Sequence, residues 1–229
     1  MLTLGIDTST RVSSVALCDG EKILGEVDIN VGMTHSEGLV PQLEVLLERT
    51  HIQKSELELI AVSRGPGSFT GLRIGMATEA LAYSLKIPLR AVDTLEAISY
   101  NLPVAGVLLV PVLDAQKGNL YVGQYLWDQG RLEEVEPVSI LSQKEIIPLM
   151  EQKDRPVILL GECHRIPKKE GFLVAMAPES ARMPRASSVA ILAQENYEPG
   201  DLYDYFGMEP FYIRRSEAEE LWEKRHPSK

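Results

Sequence analysis

The hydrophobic and polar positions of this 229-residue chain predict short strands that alternate with helices. In the first hundred residues, apolar runs bounded by turn residues predict strands at 2–7, 12–18, 22–29, 59–63 and 88–92. Leucines spaced by three and four predict a helix at 36–50, and we expect further helices at 70–86 and 94–100. Pro41 conflicts with a straight first helix, so we expect that helix to start late or to kink there.

The same order of elements recurs in the second half of the chain. The pattern predicts strands at 107–113, 119–127, 132–140 and 157–160, with a helix at 142–152. Each half thus runs strand, aspartate, turn, strand, turn, strand, helix, strand, and the aspartates are Asp7 and Asp114. This repeat predicts an α/β fold made of two ribonuclease-H-like units, the two-lobed architecture of the actin-like ATPase superfamily.

The repeat also predicts where the chain divides. We place an N-terminal domain at 1–102 and a C-terminal domain at 103–229. Within the second domain, 161–186 is expected to be irregular and 186–196 to be helical. A last helix at 216–224 is expected to pack back on the N-terminal domain.

Composition and charge narrow the function classes. Hydrophobic residues make up 45% and charged residues 24% of the chain, as in ordinary globular proteins. The net charge of −10 argues against a stand-alone nucleic-acid binder, because phosphate neutralisation needs lysine and arginine. Cys18 and Cys163 form no C-x-x-C pattern, and no apolar run approaches the length of a membrane span. We therefore expect a cytoplasmic protein that does not enter the membrane.

Two loops contain residues that could bind a phosphate or another anion. Asp7, Thr8 and Ser9 follow the first strand, where they could form a phosphate loop or simply cap the hairpin. A glycine-rich run between a strand and a helix could bind an anion at the helix N-terminus or serve as a tight connection. That run consists of Gly65, Pro66, Gly67, Ser68, Phe69, Thr70, Gly71, Leu72 and Arg73.

No residues in the sequence form a recognisable catalytic or metal-binding set. His35 has no histidine partner at helical spacing, and metal sites need several ligands. No His-x-x-x-His motif is present, and no arrangement of serine, histidine and aspartate can be argued from spacing. We predict no metal site and no catalytic residue.

Several motifs together resemble one known family. These are Gly5-Ile6-Asp7-Thr8-Ser9-Thr10, Thr34-His35-Ser36-Glu37, the Gly65–Arg73 run, Asp93-Thr94-Leu95 and Pro210-Phe211-Tyr212-Ile213-Arg214. The chain resembles the TsaB (YeaZ) family along nearly its whole length, and the glycine-rich run is the most specific of the motifs. One departure is Gln116, which stands where the family usually has arginine after Asp-Ala.

The resemblance implies a function in tRNA modification. Members of the family are needed for threonylcarbamoyladenosine next to the anticodon. They serve as a non-catalytic subunit that pairs with a catalytic paralogue, TsaD, and a small ATPase, TsaE, joins the two. The chain would need no cofactor by itself, since ATP and metal are expected on the partner subunits, and it would meet tRNA only within the complex.

The resemblance also implies an interface. Alone, such a chain would form a homodimer through the same helices that bind TsaD. The implied interface residues are Leu39, Leu43, Leu46, Leu47, Gly71, Gly75, Met76 and Leu81. Asp7, Thr8 and Ser9 would then be a vestigial phosphate loop.

Two other functions remain open from the sequence. An ATPase or small-molecule kinase of the same superfamily is motivated by Asp7, Asp114 and the glycine-rich run. A glycoprotease-like peptidase is a remote alternative, because no nucleophile or metal constellation supports it.

Overall fold

Two five-stranded sheets with the same strand order form the framework of the protein. The computed structural model describes residues 1–30, 35–68, 78–166 and 174–198. The first sheet contains β1 Leu2–Asp7, β2 Ser13–Asp19, β3 Lys22–Ile29, β4 Leu59–Gly65 and β5 Leu89–Asp93. The second contains β6 Leu108–Asp114, β7 Asn119–Asp128, β8 Arg131–Ser142, β9 Val157–Gly161 and β10 Val174–Met176.

The two sheets repeat one topology. The strand orders are β3-β2-β1-β4-β5 and, read in the corresponding direction, β8-β7-β6-β9-β10. In each sheet the first three strands are antiparallel, and the last two run parallel to the central strand β1 or β6. The predicted duplicated ribonuclease-H-like fold is confirmed.

Five α-helices in the described part of the chain cover the sheets. They are α1 His35–Thr50, α2 Thr78–Leu85, α3 Thr94–Tyr100, α4 Gln143–Glu151 and α5 Ala186–Glu195. Leucines of α1 pack with Leu4, Ile6 and Leu17 on one face of the first sheet, and α4 packs on the outer face of the second. None of the helices described is long and apolar enough to cross a membrane.

Helix α3 lies between the two sheets and α5 packs beside it against the first sheet; the region where they meet is here called the inter-sheet layer. Leu95 and Ile98 of α3 pack with Leu109, Tyr125 and Leu160 of the second sheet. The alanine at position 97 of α3 packs instead on the first sheet. Helix α3, which precedes the predicted boundary at 102, thus contributes to the core of the second half.

Helix α5 comes from the second half of the sequence but is fastened to the first sheet. Its Ala186 N–H donates to Ser14 Oγ at 2.8 Å, and its Ser187 N–H donates to Glu26 Oε1 at 3.0 Å. Arg185, which precedes α5, pairs with the same Glu26 carboxylate. These contacts give the first turn of α5 hydrogen-bond acceptors from β2 and β3, since its leading N–H groups have no partner within the helix.

Close packing places α5 directly against the central strand. A Cβ on Gly5 of β1 would lie 3.0 Å from the carbonyl carbon of Ala186 and 3.0 Å from Cβ of Ala190. It would lie closer still to the Ala186 carbonyl oxygen. Only a glycine at this position lets the α5 backbone approach β1 so closely.

Several element predictions differ from the structure. Of the two alternatives expected at Pro41, the late start of α1 is wrong, because the helix runs from His35 with Pro41 inside it, and the kink stays a prediction. The stretch 161–186, expected to be irregular, contains β10. The helix expected at 70–86 is described only from Thr78, and the helix expected at 216–224 lies outside the described residues.

Candidate functional site

Asp7 is buried at the end of β1 and is held by neighbouring hydroxyl and amide groups. Ser9 donates its backbone N–H to Asp7 Oδ1 at 3.2 Å and its hydroxyl to Asp7 Oδ2 at 3.0 Å. Ser63, at the end of the neighbouring strand β4, donates its hydroxyl to the same Oδ2. Both Asp7 and Thr8 are almost inaccessible to solvent. The carboxylate therefore accepts a turn N–H from Ser9, as a hairpin cap does, and also links β1 to β4 through Ser63.

The first residues of the glycine-rich run contact the backbone of Ser9. The Ser68 N–H donates to the Ser9 carbonyl oxygen at 2.6 Å. A Cβ on Gly67 would lie 2.9 Å from the Ser9 carbonyl carbon, so glycine allows the two loops to touch. The Ser68 amide faces the chain itself, whereas an anion-binding loop presents its amides to the ligand. The arrangement of residues 65–68 therefore favours a tight connection.

The rest of the glycine-rich run lies outside the described residues. It comprises Phe69, Thr70, Gly71, Leu72 and Arg73. The vestigial phosphate loop at Asp7, Thr8 and Ser9 stays a prediction.

Asp114 occupies the equivalent position in the second half. Its carboxylate accepts the Gln116 N–H at 2.8 Å, just as Asp7 accepts the N–H two residues later. The other Asp114 oxygen lies 3.3 Å from the Arg165 guanidinium, which is also 3.2 Å from Glu162. Arg165 thus places a positive charge beside the second aspartate. Both aspartates of the repeat thus form hydrogen bonds or ion pairs with other groups of the chain.

The implied interface leucines face the protein interior. Leu39, Leu43, Leu46 and Leu47 are each at least nine-tenths buried in the core beneath α1, and Leu81 packs at the edge of that core. Gly71, Gly75 and Met76 lie outside the described residues.

Other side chains of α1 and α2 point to solvent. On α1, Val40 is 59% exposed and Val45 is 48% exposed; on α2, Tyr83 is 58% exposed. A partner that binds α1 would therefore meet these outward side chains, which the sequence reasoning missed. The sequence could have indicated these residues, because Val40 and Val45 lie outside the apolar stripe that the leucines of α1 form.

The inter-sheet layer holds a second group of residues that the sequence did not reveal. Glu96 of α3 lies near Asp93 and Glu134, and burial together with these carboxylates raises its pKa to about 7. Arg64 pairs with Asp93 at 2.5 Å, and this hydrogen bond raises the pKa of the Arg64 guanidinium. The members come from β4, β5, α3 and β8, so no local pattern brings them together.

Among the described residues, no metal-binding group and no reactive cysteine adds a further candidate site. Those residues contain no group of three or more histidine, cysteine, aspartate or glutamate side chains placed to hold one ion. Cys18 and Cys163 are both buried. Burial raises the pKa of the Cys18 thiol to about 12, and it raises that of Cys163 as well.

Comparisons with known proteins agree with the motifs. The family model described as TsaD, tRNA N6-adenosine threonylcarbamoyltransferase, matches residues 29–222. The chain is 33% identical to the tRNA threonylcarbamoyladenosine biosynthesis protein TsaB of Bacillus subtilis, over 97% of this chain and 98% of that protein. It is 26% identical to the Escherichia coli protein of the same name, over 98% of each chain.

A solved structure agrees as well. YeaZ from Pseudomonas aeruginosa superposes with a TM-score of 0.78 at 25% identity, over 93% of this chain and 99% of that one. The similarity thus covers both halves of the fold. This chain therefore belongs to the family of tRNA threonylcarbamoyladenosine biosynthesis proteins TsaB.

Proposed function

We propose that this chain is a non-catalytic subunit in the biosynthesis of threonylcarbamoyladenosine in tRNA. The observation that carries the proposal is the 33% identity to the Bacillus subtilis TsaB along nearly the whole chain. The chain pairs with a TsaD-type catalytic subunit, and a TsaE-type ATPase joins that complex. Without these partners the chain forms a homodimer.

The arrangement of the two aspartates supports a role without catalysis. Asp7 is buried under Ser9 and Ser63, and Asp114 lies beside Arg165. Carboxylates in use as structural acceptors are poorly suited to hold a magnesium nucleotide. ATP and metal are accordingly assigned to the partner subunits.

The outward face of α1 and α2 supports the mode of pairing. Val40, Val45 and Tyr83 expose large apolar side chains on α1 and α2, and a partner that covers them removes this apolar area from water. The net charge of −10 fits this division, because tRNA is then held by partner subunits.

Binding to the TsaD-type subunit of the same organism tests the proposal. We expect Val45→Asp to weaken this binding at least about tenfold, since a charge must then be buried at the contact. Val135→Asp is the matched control, because Val135 is 44% exposed on β8 in the other half. Equal binding by Val45→Asp and the wild type would contradict the α1 contact. Modified tRNA in cells that lack this chain would contradict the function.

Calorimetry with Mg-ATP tests the ATPase or kinase alternative. The proposal expects no saturable binding by the isolated chain. Micromolar binding that Asp7→Ala abolishes would instead support an ATPase or kinase.

A further inference from the structure

Strand β8 is an open edge of the second sheet. It pairs with β7 on one side, and no described strand pairs with it on the other. The residues at 133–137 are all exposed, and three of them are glutamates. Charged residues often protect such an edge against unwanted pairing, so the acidity of β8 alone assigns no function to it. The side chain of Gln124, on β7, is a second and independent observation at this edge.

Gln124 shares one face of the sheet with two of these glutamates. It stands directly opposite Glu136, and Leu126, two residues further along β7, stands opposite Glu133. Opposite residues of an antiparallel pair point to the same face, so Glu133 and Glu136 flank Gln124. The register of β8 shifts on both sides of Glu136, and such bulges re-aim side chains at the edges of sheets.

The carbonyl oxygen of the Gln124 side chain has no donor. Gln124 is 7% exposed, and its Oε1 is buried with no hydrogen-bond partner among the described residues. Buried polar atoms of native proteins are nearly always hydrogen-bonded, so this acceptor is available to a donor from outside the chain. Within the described part of the chain, the carboxylates of Glu133 and Glu136 likewise take part in no hydrogen bond or ion pair.

An ammonium group matches these three acceptors. It has three N–H donors and one positive charge, so each acceptor can receive one donor while the two carboxylates offset the charge. The planar guanidinium group of arginine is suited instead to a single carboxylate that it binds bidentately. A calcium ion takes about six to eight oxygen ligands. No group of acidic, histidine or cysteine side chains in the described residues is placed to hold a metal ion.

We propose that Gln124, Glu133 and Glu136 form a binding site for the ammonium group of a lysine side chain, which an extended segment of a partner protein presents. The open edge of β8 lets such a segment lie beside the sheet. Val135, which is 44% exposed, offers an apolar surface to the aliphatic part of the lysine. A second copy of β8 would bring like charges together, so the charge excludes it as the occupant.

The site is separate from the contact proposed for α1 and α2. Those helices pack on the first sheet, whereas β7 and β8 belong to the second. Loss of one contact therefore leaves the other intact, and the two proposals can fail independently.

Titration of the full chain with three blocked peptides tests the proposal. The peptides are acetyl-Thr-Val-Lys-Val-Thr-amide and its two variants with norleucine or arginine in place of lysine. Shifts of the Gln124 side-chain amide resonances give the Kd, which we expect to be on the order of 1 mM for the lysine peptide. The norleucine peptide should bind at least about tenfold more weakly, and the arginine peptide at least about threefold more weakly.

The wild-type titrations alone can overturn the proposal. Equal binding by the lysine and norleucine peptides, or binding by none of the peptides up to about 10 mM, would do so. Equal binding by the lysine and arginine peptides would overturn the assignment to an ammonium group.

Single substitutions locate the site. Glu133→Gln and Glu136→Gln each remove one carboxylate, and we expect each to weaken binding of the lysine peptide about threefold to fivefold. Glu179→Gln is the matched control, because it removes the same charge from an exposed position outside β8. We expect it to change the Kd by less than about 1.5-fold. Equal effects of all three would mean that only net charge attracts the peptide, and would overturn the site.

A free amine is the other source of the same chemistry. n-Butylamine carries the ammonium group without a peptide, and we expect it to bind at least about threefold more weakly than the lysine peptide, because it makes fewer contacts at β8. Equal binding would support the ammonium site but overturn the partner protein as the source of the ammonium group.

Discussion

Replacement of Gly5 by alanine tests the attachment of α5 to the first sheet. The new Cβ would lie 3.0 Å from both the Ala186 carbonyl carbon and the Ala190 Cβ. Carbon atoms pack best at about 3.5–4.0 Å, and the Ala186 carbonyl oxygen lies closer to the new Cβ than either carbon, so α5 must move away from β1 by about 1 Å or more. The obstacle is backbone, which cannot rotate aside as a side chain does.

The expected cost can be worked out from the contacts that this movement disturbs. Overpacking in a close-packed core costs about 1–3 kcal/mol. Ala186 N–H loses much of its 2.8 Å bond to Ser14, and Ser187 N–H loses much of its 3.0 Å bond to Glu26. A neutral bond contributes about 1 kcal/mol and a bond to a charged group about 1.5–3 kcal/mol. We expect the free energy of unfolding to fall by about 3–5 kcal/mol.

Urea unfolding followed by circular dichroism measures the loss. With an m value of about 1–3 kcal/mol/M, the midpoint should fall by at least about 1 M. Ala190→Gly in the same chain should rescue little, because the Ala186 carbonyl group remains in the way. A Gly5→Ala chain within about 1 kcal/mol of the wild type, or full rescue by Ala190→Gly, would refute the reasoning.

Three further predictions test other parts of the fold. Leu46→Ala should destabilise the chain by about 2–5 kcal/mol in urea unfolding, because Leu46 is buried. Val45→Ala should change the stability by less than about 0.5 kcal/mol, because Val45 is exposed. Equal losses would mean that α1 is rotated about its axis. Gln116 has a φ of 62°, so Gln116→Gly should raise thermal stability by about 0.5–1 kcal/mol, and a loss would contradict the backbone conformation. Neither Cys18 nor Cys163 should react with a thiol reagent at pH 8 until urea unfolds the chain, and a rapid reaction of the native protein would contradict their burial.

The strands were predictable because each half repeats simple local patterns. The turn at Asp19-Gly20 and the apolar runs beside it marked β2 and β3 to within a residue. The three-residue strand β10 was not predictable, because it is shorter than any periodic pattern can reveal. The late start expected from Pro41 did not occur, because Pro41 lies inside α1 on the exposed side of the helix.

Only those parts of the candidate site whose residues are close together in the sequence could be predicted. The motif around Asp7 was recognised, but its hydroxyl partner Ser63 is 56 residues away in the sequence. The leucine stripe of α1 fits both a core and an interface, and only the structure shows that Leu46 and its neighbours face the sheet. Glu96 carries no sequence signal, since its pKa depends on strands from both halves.

The placement of α5 has a consequence for synthesis on the ribosome. The inner face of the first sheet, which includes Ala16, Cys18 and Ala61, is covered by a helix that ends at Glu195. At about 5–20 residues per second, roughly 5–20 s separate the translation of α3 from that of α5. During that interval the nascent first half exposes an apolar sheet face that it cannot cover by itself. Chaperones that bind apolar surfaces should therefore associate with this chain until its last described helix has emerged.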